Sequence, residues 1–349
     1  MQSSIETMPW LVSAWRYVED RLAAGQLPHG LLVSGAYGVG KSRFAHQVAG
    51  LLVCEAAVRT GRSARLVACG QCKQCELVAA STHPDIRSYA PEKSKMIRVD
   101  QVRQLSEFAV GSPRVAQRKV IIVDRADQLN INAGNALLKT LEEPSADVVL
   151  LLLQETGRPV LPTLRSRCQN LALPLPDFEQ ARQWLAAELA ALPDQEQPAE
   201  AERKRALRLA GCAPRRAHEY LTNGFLEQRR EALDGFRRFM KNELTVAEAA
   251  RPFRTMGLEP TLALMESWAA DLARLGAGGE AVDEDAAEML RYLARTNPPW
   301  RSHQLLDAFR ESREAAVYNA SPELEAERLL ILWQGLMPSR RRRGAAGSG

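Results

Sequence analysis

Four cysteines lie close together in the sequence at spacings that suit a metal ion. Two residues separate Cys69 from Cys72 and Cys72 from Cys75, and Cys54 lies shortly before them. A Cys-x-x-Cys turn points both sulfurs at one ion, and four thiolates complete the tetrahedral coordination of Zn²⁺ with no open position. The pattern therefore predicts a structural zinc module over residues 54–75, held by Cys54, Cys69, Cys72 and Cys75.

Other interpretations of this cysteine cluster are a set of reduced thiols without metal and an iron–sulfur cluster. A zinc ribbon that binds nucleic acid is a further alternative. It needs aromatic or basic side chains around the cysteines; Arg65 and Lys73 are present, but aromatic residues are not. The two remaining cysteines, Cys168 and Cys212, are isolated in the sequence, which favours a packing role.

A second motif has the composition of a phosphate-binding loop. The octapeptide GAYGVGKS, which ends at Ser42, follows a short apolar run and precedes a helical pattern. Gly35, Gly38 and Gly40 allow the backbone to curl so that its N–H groups face phosphate oxygens. Lys41 neutralises the β- and γ-phosphates, and Ser42 ligates Mg²⁺. The motif predicts a site for ATP and Mg²⁺.

The next chemical feature is an acidic residue at the end of a second apolar run. Val120–Val123 leads into Asp124, a pattern that places a carboxylate near the Mg²⁺ of a phosphate loop. Motor ATPases of this class carry Glu directly after that Asp to activate the attacking water, and this chain has Arg125 there. Arginine cannot act as a base because its pKa stays above about 12. Asp127 follows one helical turn later and is expected to miss the water.

These residues predict nucleotide binding without efficient hydrolysis. The alternative is that Arg125 forms a surface ion pair while another group supplies the base.

The elements that must position these motifs alternate between strand and helix in the first half of the chain. Apolar runs at Leu31–Val33, Val120–Val123 and Val148–Leu153 predict buried strands. Helical patterns at Val99–Val110 and Asn135–Glu142 lie between them. This alternation predicts an α/β fold with a parallel sheet that is covered on both faces.

After about Leu173 the strand patterns end, and Ala, Leu, Glu and Arg dominate a series of helical segments. Helices are predicted at 178–192, 201–221, 227–242, 261–275, 283–295, 302–319 and 322–336. The predicted domains are a nucleotide-binding-type α/β domain (1–173), a small helical domain (174–224), a helical C-terminal domain (225–338) and a basic flexible tail (339–349).

Length and composition restrict the class of protein further. The chain has 349 residues, of which 46% are hydrophobic and 25% charged, as in a globular protein of two or three domains. It has neither a long uncharged apolar run nor a signal-peptide pattern at its start, so we expect a cytoplasmic protein without membrane contact. The net charge of +4 is too small to indicate nucleic-acid binding. Arg340–Arg343 in the tail is interpreted either as a phosphate contact or as a solubilising end.

A further arginine stands just beyond the third predicted strand, in Leu164-Arg165-Ser166-Arg167-Cys168. Such a residue can project from the edge of a domain and reach the γ-phosphate of a neighbouring subunit. From the spacing alone, a surface or structural arginine is the favoured interpretation.

In combination, these segments resemble the AAA+ clamp-loader family of the delta-prime subunit of bacterial DNA polymerase III. The residues that carry the resemblance are Leu27–Leu32, the cysteine module, His83–Asp85, Val99–Arg103, Asn135–Pro144 and Leu164–Cys168, with Pro322–Leu330 near the end. The resemblance implies an AAA+ P-loop sheet with a zinc module, followed by a small helical lid and an all-α collar domain.

The resemblance also implies roles for single residues. Arg167 would act in trans as an arginine finger on the ATP of an adjacent motor subunit. Arg216 would lie near the phosphates as the sensor-2 residue, although Arg215 is the alternative. The implied partners are the gamma/tau and delta clamp-loader subunits, the sliding clamp and, through the complex, primed DNA.

The function that the resemblance implies is that of a stator within the DNA polymerase III holoenzyme, with weak or absent ATPase activity of its own. The rival is the gamma/tau-type motor subunit, which shares the cysteine module, the phosphate loop and the Ser-Arg-Cys segment. A motor subunit is expected to carry Asp-Glu where this chain has Asp124-Arg125.

Overall fold

The computed structural model of the chain describes residues 8–60, 65–92, 96–145, 147–193, 197–316 and 321–337. The chain divides into two compact units, Met1–His218 and Glu219–Gly349. The tail predicted at 339–349 lies outside the described residues. Within the described ranges, no helix combines the length and the apolar character needed to cross a membrane.

The first unit is built on a parallel sheet, as predicted. The strands of the unit are β1 (Gly30–Gly35), β2 (Val58–Thr60), β3 (Arg65–Val67), β4 (Ile86–Tyr89), β5 (Lys119–Val123), β6 (Val148–Glu155) and β7 (Gln169–Ala172). Five of them form one sheet in the order β4-β5-β6-β1-β7, with every neighbouring pair parallel. The other two, β2 and β3, form a small antiparallel ribbon.

The central strands are continuous apolar runs because helices cover the sheet on both faces. Every residue of β5 is buried, and so are the first six residues of β6. The edge strands β4 and β7 are half exposed and lack such a run, so the sequence did not indicate them. Because the sheet is parallel, Gly35, Val123 and Glu155 end their strands at one edge, beside the phosphate loop.

Of the α-helices in the described ranges, eight lie within the first unit and a ninth crosses its boundary at His218. They are α1 (Val12–Ala23), α2 (Lys41–Val53), α3 (Lys73–Ala79), α4 (Val99–Val110), α5 (Ile131–Glu142), α6 (Pro162–Arg165), α7 (Phe178–Leu189), α8 (Glu200–Leu209) and α9 (Pro214–Thr222). The bounds of α4 match the prediction. Helix α5 begins four residues earlier than predicted, because the side chain of Asn130 accepts a hydrogen bond from the backbone N–H of Ala133 and caps its start.

The described part of the second unit is helical. Its helices after α9 are α10 (Phe225–Met240), α11 (Val246–Met256), α12 (Leu258–Gly276), α13 (Ala287–Thr296), α14 (Trp300–Ala316) and α15 (Pro322–Gln334). In its core, the ring of Phe236 stacks on Trp268 with centroids 5.0 Å apart and meets Trp333 edge-on at 5.3 Å. Helix α11, which contains Pro252, was not predicted; Thr245 and Glu248 form a capping box at its start.

Candidate functional site

The structure brings the four clustered cysteines together. Cys54 directly follows α2, Cys72 directly precedes α3, Cys75 lies within α3, and Cys69 lies shortly before α3. All four sulfurs lie within 4.8 Å of one another. Three of the separations are 3.7 Å (Cys54 to Cys75), 3.9 Å (Cys69 to Cys75) and 4.0 Å (Cys54 to Cys72). Four thiolates around Zn²⁺ at about 2.3 Å would lie about 3.8 Å apart, so the cluster fits this ion.

The backbone around Cys69 favours the thiolate that a metal requires. The N–H groups of Gln71 and Cys72 both point at its sulfur, and they lower the pKa of Cys69 to about 6. Gly70 allows this turn because its φ of 74° lies in the left-handed region. Burial raises the pKa of Cys75, so a bound cation is needed to keep that thiol ionised.

A buried polar chain ties the cysteine module to the sheet. Gln74, between two of the cysteines, donates from Nε2 to the carbonyl of Val115 at 2.9 Å. Its Oε1 accepts from Nε2 of His83 at 2.9 Å, and Nδ1 of His83 accepts from the N–H of Asp85 at 3.1 Å. The Asp85 carboxylate accepts the N–H groups of Arg114, Val115 and Ala116 at 2.7 to 2.9 Å.

This series of hydrogen bonds determines the charges of His83 and Asp85. His83 donates from Nε2 and accepts at Nδ1, so it is the neutral tautomer, and burial lowers its pKa. Burial alone would raise the pKa of Asp85, but the three N–H donors outweigh it and lower the pKa. The resemblance to the clamp-loader family included His83 and Asp85 but gave them no role. Sequence reasoning missed Gln74, although its position between two predicted metal ligands could have indicated it.

The phosphate loop has the predicted placement between β1 and α2. Gly38 and Gly40 adopt left-handed φ angles of 80° and 109°, which only glycine takes up without strain. Lys41 is buried, and its Nζ donates to the carbonyls of Gly35 and Ala36 at 2.8 and 2.9 Å. Burial is the largest influence on Lys41 and lowers its pKa. Its ammonium group therefore caps the loop's own carbonyls.

Helix α9 packs directly on the phosphate loop. The N–H of Arg215 donates to the carbonyl of Gly38 at 3.1 Å. A methyl group added to Gly38 would lie 2.6 Å from both the backbone nitrogen and Cβ of Arg216. The Arg216 guanidinium lies 6.0 Å from the centre of the Tyr37 ring. Both candidate sensor-2 arginines therefore contact the loop. Arg215 does so through its backbone, and Arg216 through its backbone and its side chain.

At the tip of β5, Asp124 is followed by an unusual arginine. Arg125 has a left-handed φ of 63°, a conformation that a residue other than glycine adopts only when its surroundings compensate for the strain. Its guanidinium lies 3.7 Å from Asp127 and 3.7 Å from Glu155. Arg158 completes the cluster, 3.3 Å from Glu155 and 4.0 Å from Asp127. Two cations and two anions therefore neutralise each other beside the phosphate loop.

The carboxylate of Asp127 is enclosed by the protein. Its side chain is fully buried, and Oδ1 accepts the backbone N–H of Glu155 at 3.1 Å. Burial raises its pKa, while the two arginines oppose that effect. Glu155 and Arg158 were missed by sequence reasoning, because only the pairing of β5 with β6 brings them to Arg125.

Arg167, the predicted arginine finger, lies in the loop between α6 and β7. Its side chain is about one-third exposed and rests on Glu142, the last residue of α5. The carbonyl of Arg167 and the side chain of Cys168 pack on Gly30 at the start of β1. A methyl group on Gly30 would lie 2.9 Å from Cδ2 of Leu141 and 3.2 Å from the sulfur of Cys168. Cys168 is therefore a packing residue, and burial raises its pKa to about 11.

The chain is similar in sequence to known proteins. A sequence profile of the family "DNA polymerase III, delta subunit" matches residues 12–177. The chain is 34% identical to DNA polymerase III subunit delta' of Pseudomonas aeruginosa, over 94% of this chain and 97% of that protein. It is 35% identical to the Escherichia coli subunit delta' over 52% of this chain and 53% of that one.

Among solved structures, a gamma subunit-related protein of DNA polymerase III from Thermotoga maritima aligns with 93% of this chain at 16% identity and a TM-score of 0.43. The alignment with the Pseudomonas aeruginosa subunit covers nearly all of both sequences. This chain belongs to the delta' subunit family of DNA polymerase III.

Proposed function

We propose that this chain is the delta-prime, stator-like subunit of a DNA polymerase III clamp loader, which helps to place the sliding clamp on primed DNA. The observation that carries this proposal is the 34% identity to a delta' subunit over 97% of that protein's length. The expected partners are gamma/tau-type and delta-type subunits, the sliding clamp and primed DNA held by the complex. The helices of the second unit would form the collar that joins the subunits.

The residues around the phosphate loop support binding of ATP without efficient hydrolysis. Gly35, Gly38, Gly40, Lys41 and Ser42 keep the residue types that hold phosphates and Mg²⁺. Asp124 would stand near the metal and Arg216 near the phosphates. ATP and Mg²⁺ would occupy this site without a group to activate water.

The position that needs a general base holds Arg125, and the nearest carboxylates already pair with arginines. Asp127 and Glu155 each lie within 4.0 Å of Arg125 or Arg158. Both carboxylates face these guanidinium groups, and the buried Asp127 also accepts the backbone N–H of Glu155, so neither is directed toward an attacking water. The cluster therefore supports a subunit that does not turn over ATP.

Arg167 would serve the neighbouring subunit's ATP site instead. A guanidinium at the edge of the domain can stabilise the charge that develops on a transferred phosphoryl group. Arg167 is partly exposed, and the next residue, Cys168, packs closely on Gly30. These are the properties of a group that must reach another subunit at a defined position.

The four cysteines would hold a structural Zn²⁺ rather than a catalytic one. Four thiolates fill the tetrahedral shell, so no position is left for water or substrate. When bound, the ion supplies folding energy to the module. Cys54, Cys69, Cys72 and Cys75 would be its ligands, and Gln74 would transmit the position of the module to the Val115 loop.

The proposal is tested by ATP turnover in a reconstituted mixture of motor subunits, delta-type subunit, sliding clamp and primed DNA. We expect Arg167→Ala in this chain to lower the stimulated turnover by at least about tenfold. Arg165→Ala, which removes an exposed arginine two residues away, is the charge-matched control and should keep the turnover. Equal turnover with Arg167→Ala and wild type would contradict the arginine-finger role.

A second candidate function is the gamma/tau-type motor, which the intact phosphate loop favours. A motor would hydrolyse ATP without other subunits and would lose that activity in a Lys41→Ala variant. Arg125 at the base position argues against it.

A further inference from the structure

The guanidinium of Arg167 is held from two sides by the chain itself. Its Nε donates to Oε1 of Glu142 at 2.7 Å, and its Nη2 lies 2.5 Å from the same oxygen. On the other side, Nη1 donates to the carbonyl of Thr163 at 3.0 Å and approaches the hydroxyl of Ser166 at 3.3 Å. Within the described part of the chain, Nη2 has no acceptor besides Glu142, which leaves one of its N–H groups for an incoming ligand.

We propose that Glu142 is the positioning residue for Arg167, orienting its guanidinium toward the phosphate of a neighbouring subunit's nucleotide. This inference rests on the proposed role of Arg167 as an arginine finger. Glu142 occupies the edge formed by Nε and Nη2, so a phosphate oxygen meets the opposite, terminal end of the guanidinium. Glu142 acts through Arg167 and does not itself touch the nucleotide.

Both supports of Arg167 belong to rigid parts of the first unit. Glu142 follows Leu141, which is buried and packs against Gly30 at the start of β1. Thr163 precedes Leu164, which is 1% exposed in the core beneath the sheet. Two packed elements therefore define the position of one side chain, as a preorganised site requires.

The ion pair has little value for the stability of the isolated chain. The side chains of Arg167 and Glu142 are 35% and 47% exposed, and pairs of this kind contribute little because water screens them. The ion pair acts instead on the conformational entropy of the Arg167 side chain. A free arginine must give up many rotamers when it binds a phosphate, and Glu142 imposes that order before the subunits meet.

The test is ATP turnover by the reconstituted complex, with kcat and KM for ATP measured separately for each variant of this chain. Glu142→Ala should lower kcat by about three- to tenfold, the value of ordering one long side chain, and leave KM unchanged. Glu142→Gln should retain part of the rate, because its amide oxygen can still accept from Nε of Arg167. Glu143→Ala is the matched control and should behave as wild type. Co-elution of the subunits verifies that each variant still assembles.

A double-variant cycle decides whether Glu142 acts through Arg167. Adding Glu142→Ala to Arg167→Ala should cause no further loss. The positioning role would be overturned if the double variant lost more activity than Arg167→Ala. It would also be overturned if Glu142→Ala kept the wild-type kcat while Arg167→Ala lost most of it. Either result would leave the arginine-finger role intact. A higher kcat in Glu142→Ala would show that Glu142 masks Arg167, which also overturns the positioning role. If Arg167→Ala itself had no effect, both the proposed arginine-finger function and this inference would be contradicted.

Discussion

Nε2 of His83 lies 2.9 Å from Oε1 of Gln74, and this contact connects the cysteine module to the strand β4 that follows it. Gln74 stands between two metal-ligand candidates, whereas His83 leads into the buried Asp85. The module, the start of β4 and the loop at residues 114–116 are thus one hydrogen-bonded structure. A substitution at any of these points should therefore affect the module, the start of β4 and this loop together.

The first prediction concerns Asp85, whose carboxylate is fully buried and accepts three backbone N–H groups. Asp85→Ala should lower the free energy of unfolding by about 3 kcal/mol, since hydrogen bonds to a charged group are lost and their donors are left without it. Urea denaturation measures this. Asp100→Ala, which removes a largely exposed carboxylate from α4, is the control and should change the midpoint little. Equal midpoints for the two variants would contradict the role of Asp85.

The second prediction is a dependence of stability on pH that comes from His83. Its pKa in the folded chain lies below the ordinary value of 6.5, so the unfolded chain takes up a proton first as the pH falls. The free energy of unfolding should therefore decrease below pH 6.5, by up to about 1.4 kcal/mol per pH unit. Denaturation between pH 7.5 and 5 tests this, with His83→Gln as the non-titrating comparison. If the pH dependence were unchanged in His83→Gln, a group other than His83 would be responsible for it.

The third prediction concerns the metal. The purified chain should contain one zinc ion, and its removal by a strong chelator should lower Tm, because binding energy at a structural site is folding energy. Cys72→Ser should lose the zinc, whereas Cys212→Ser, outside the cluster, should retain it. Elemental analysis and thermal unfolding measure both effects. A metal-free chain with the same Tm as the purified protein would show that reduced thiols suffice.

The fourth prediction concerns the close contact of α9 with the phosphate loop. Gly38→Ala combines a left-handed φ with a clash 2.6 Å from the Arg216 backbone. Gly25→Ala has a similar φ of 66° but no atom within 4 Å of the added methyl group, so it isolates the cost of the backbone conformation, about 1 kcal/mol. We expect a clearly larger loss of Tm in Gly38→Ala. Equal losses would mean that α9 does not press on the loop.

The sequence predicted features that depend on local pattern. The cysteine spacing, the glycines of the phosphate loop and the buried strand at Val120–Val123 each depend on residues close together in the chain. Helix α4 was placed correctly because its apolar positions recur at the helical period and its first and last turns have clear ends.

The sequence did not reveal partnerships that depend on tertiary structure. Glu142 meets Arg167 across 25 residues, and Glu155 meets Arg125 across the sheet. Edge strands such as Ile86–Tyr89 lack a continuous apolar run, so they were not recognised as strands. The packing of helices, loops and strands against one another determines these contacts, and residues far apart in the sequence give no local signal of it.

We propose above all that this chain supports a neighbour's ATP site and does not hydrolyse ATP itself. The most direct measurement is ATP turnover by the purified chain alone with Mg²⁺, compared with its Lys41→Ala variant and with the complete reconstituted loader. We predict that the chain alone shows no turnover above Lys41→Ala, while the loader is stimulated by primed DNA and clamp only when this chain is present. Turnover by the chain alone that Lys41→Ala abolishes would contradict the claim and identify the chain as a motor subunit.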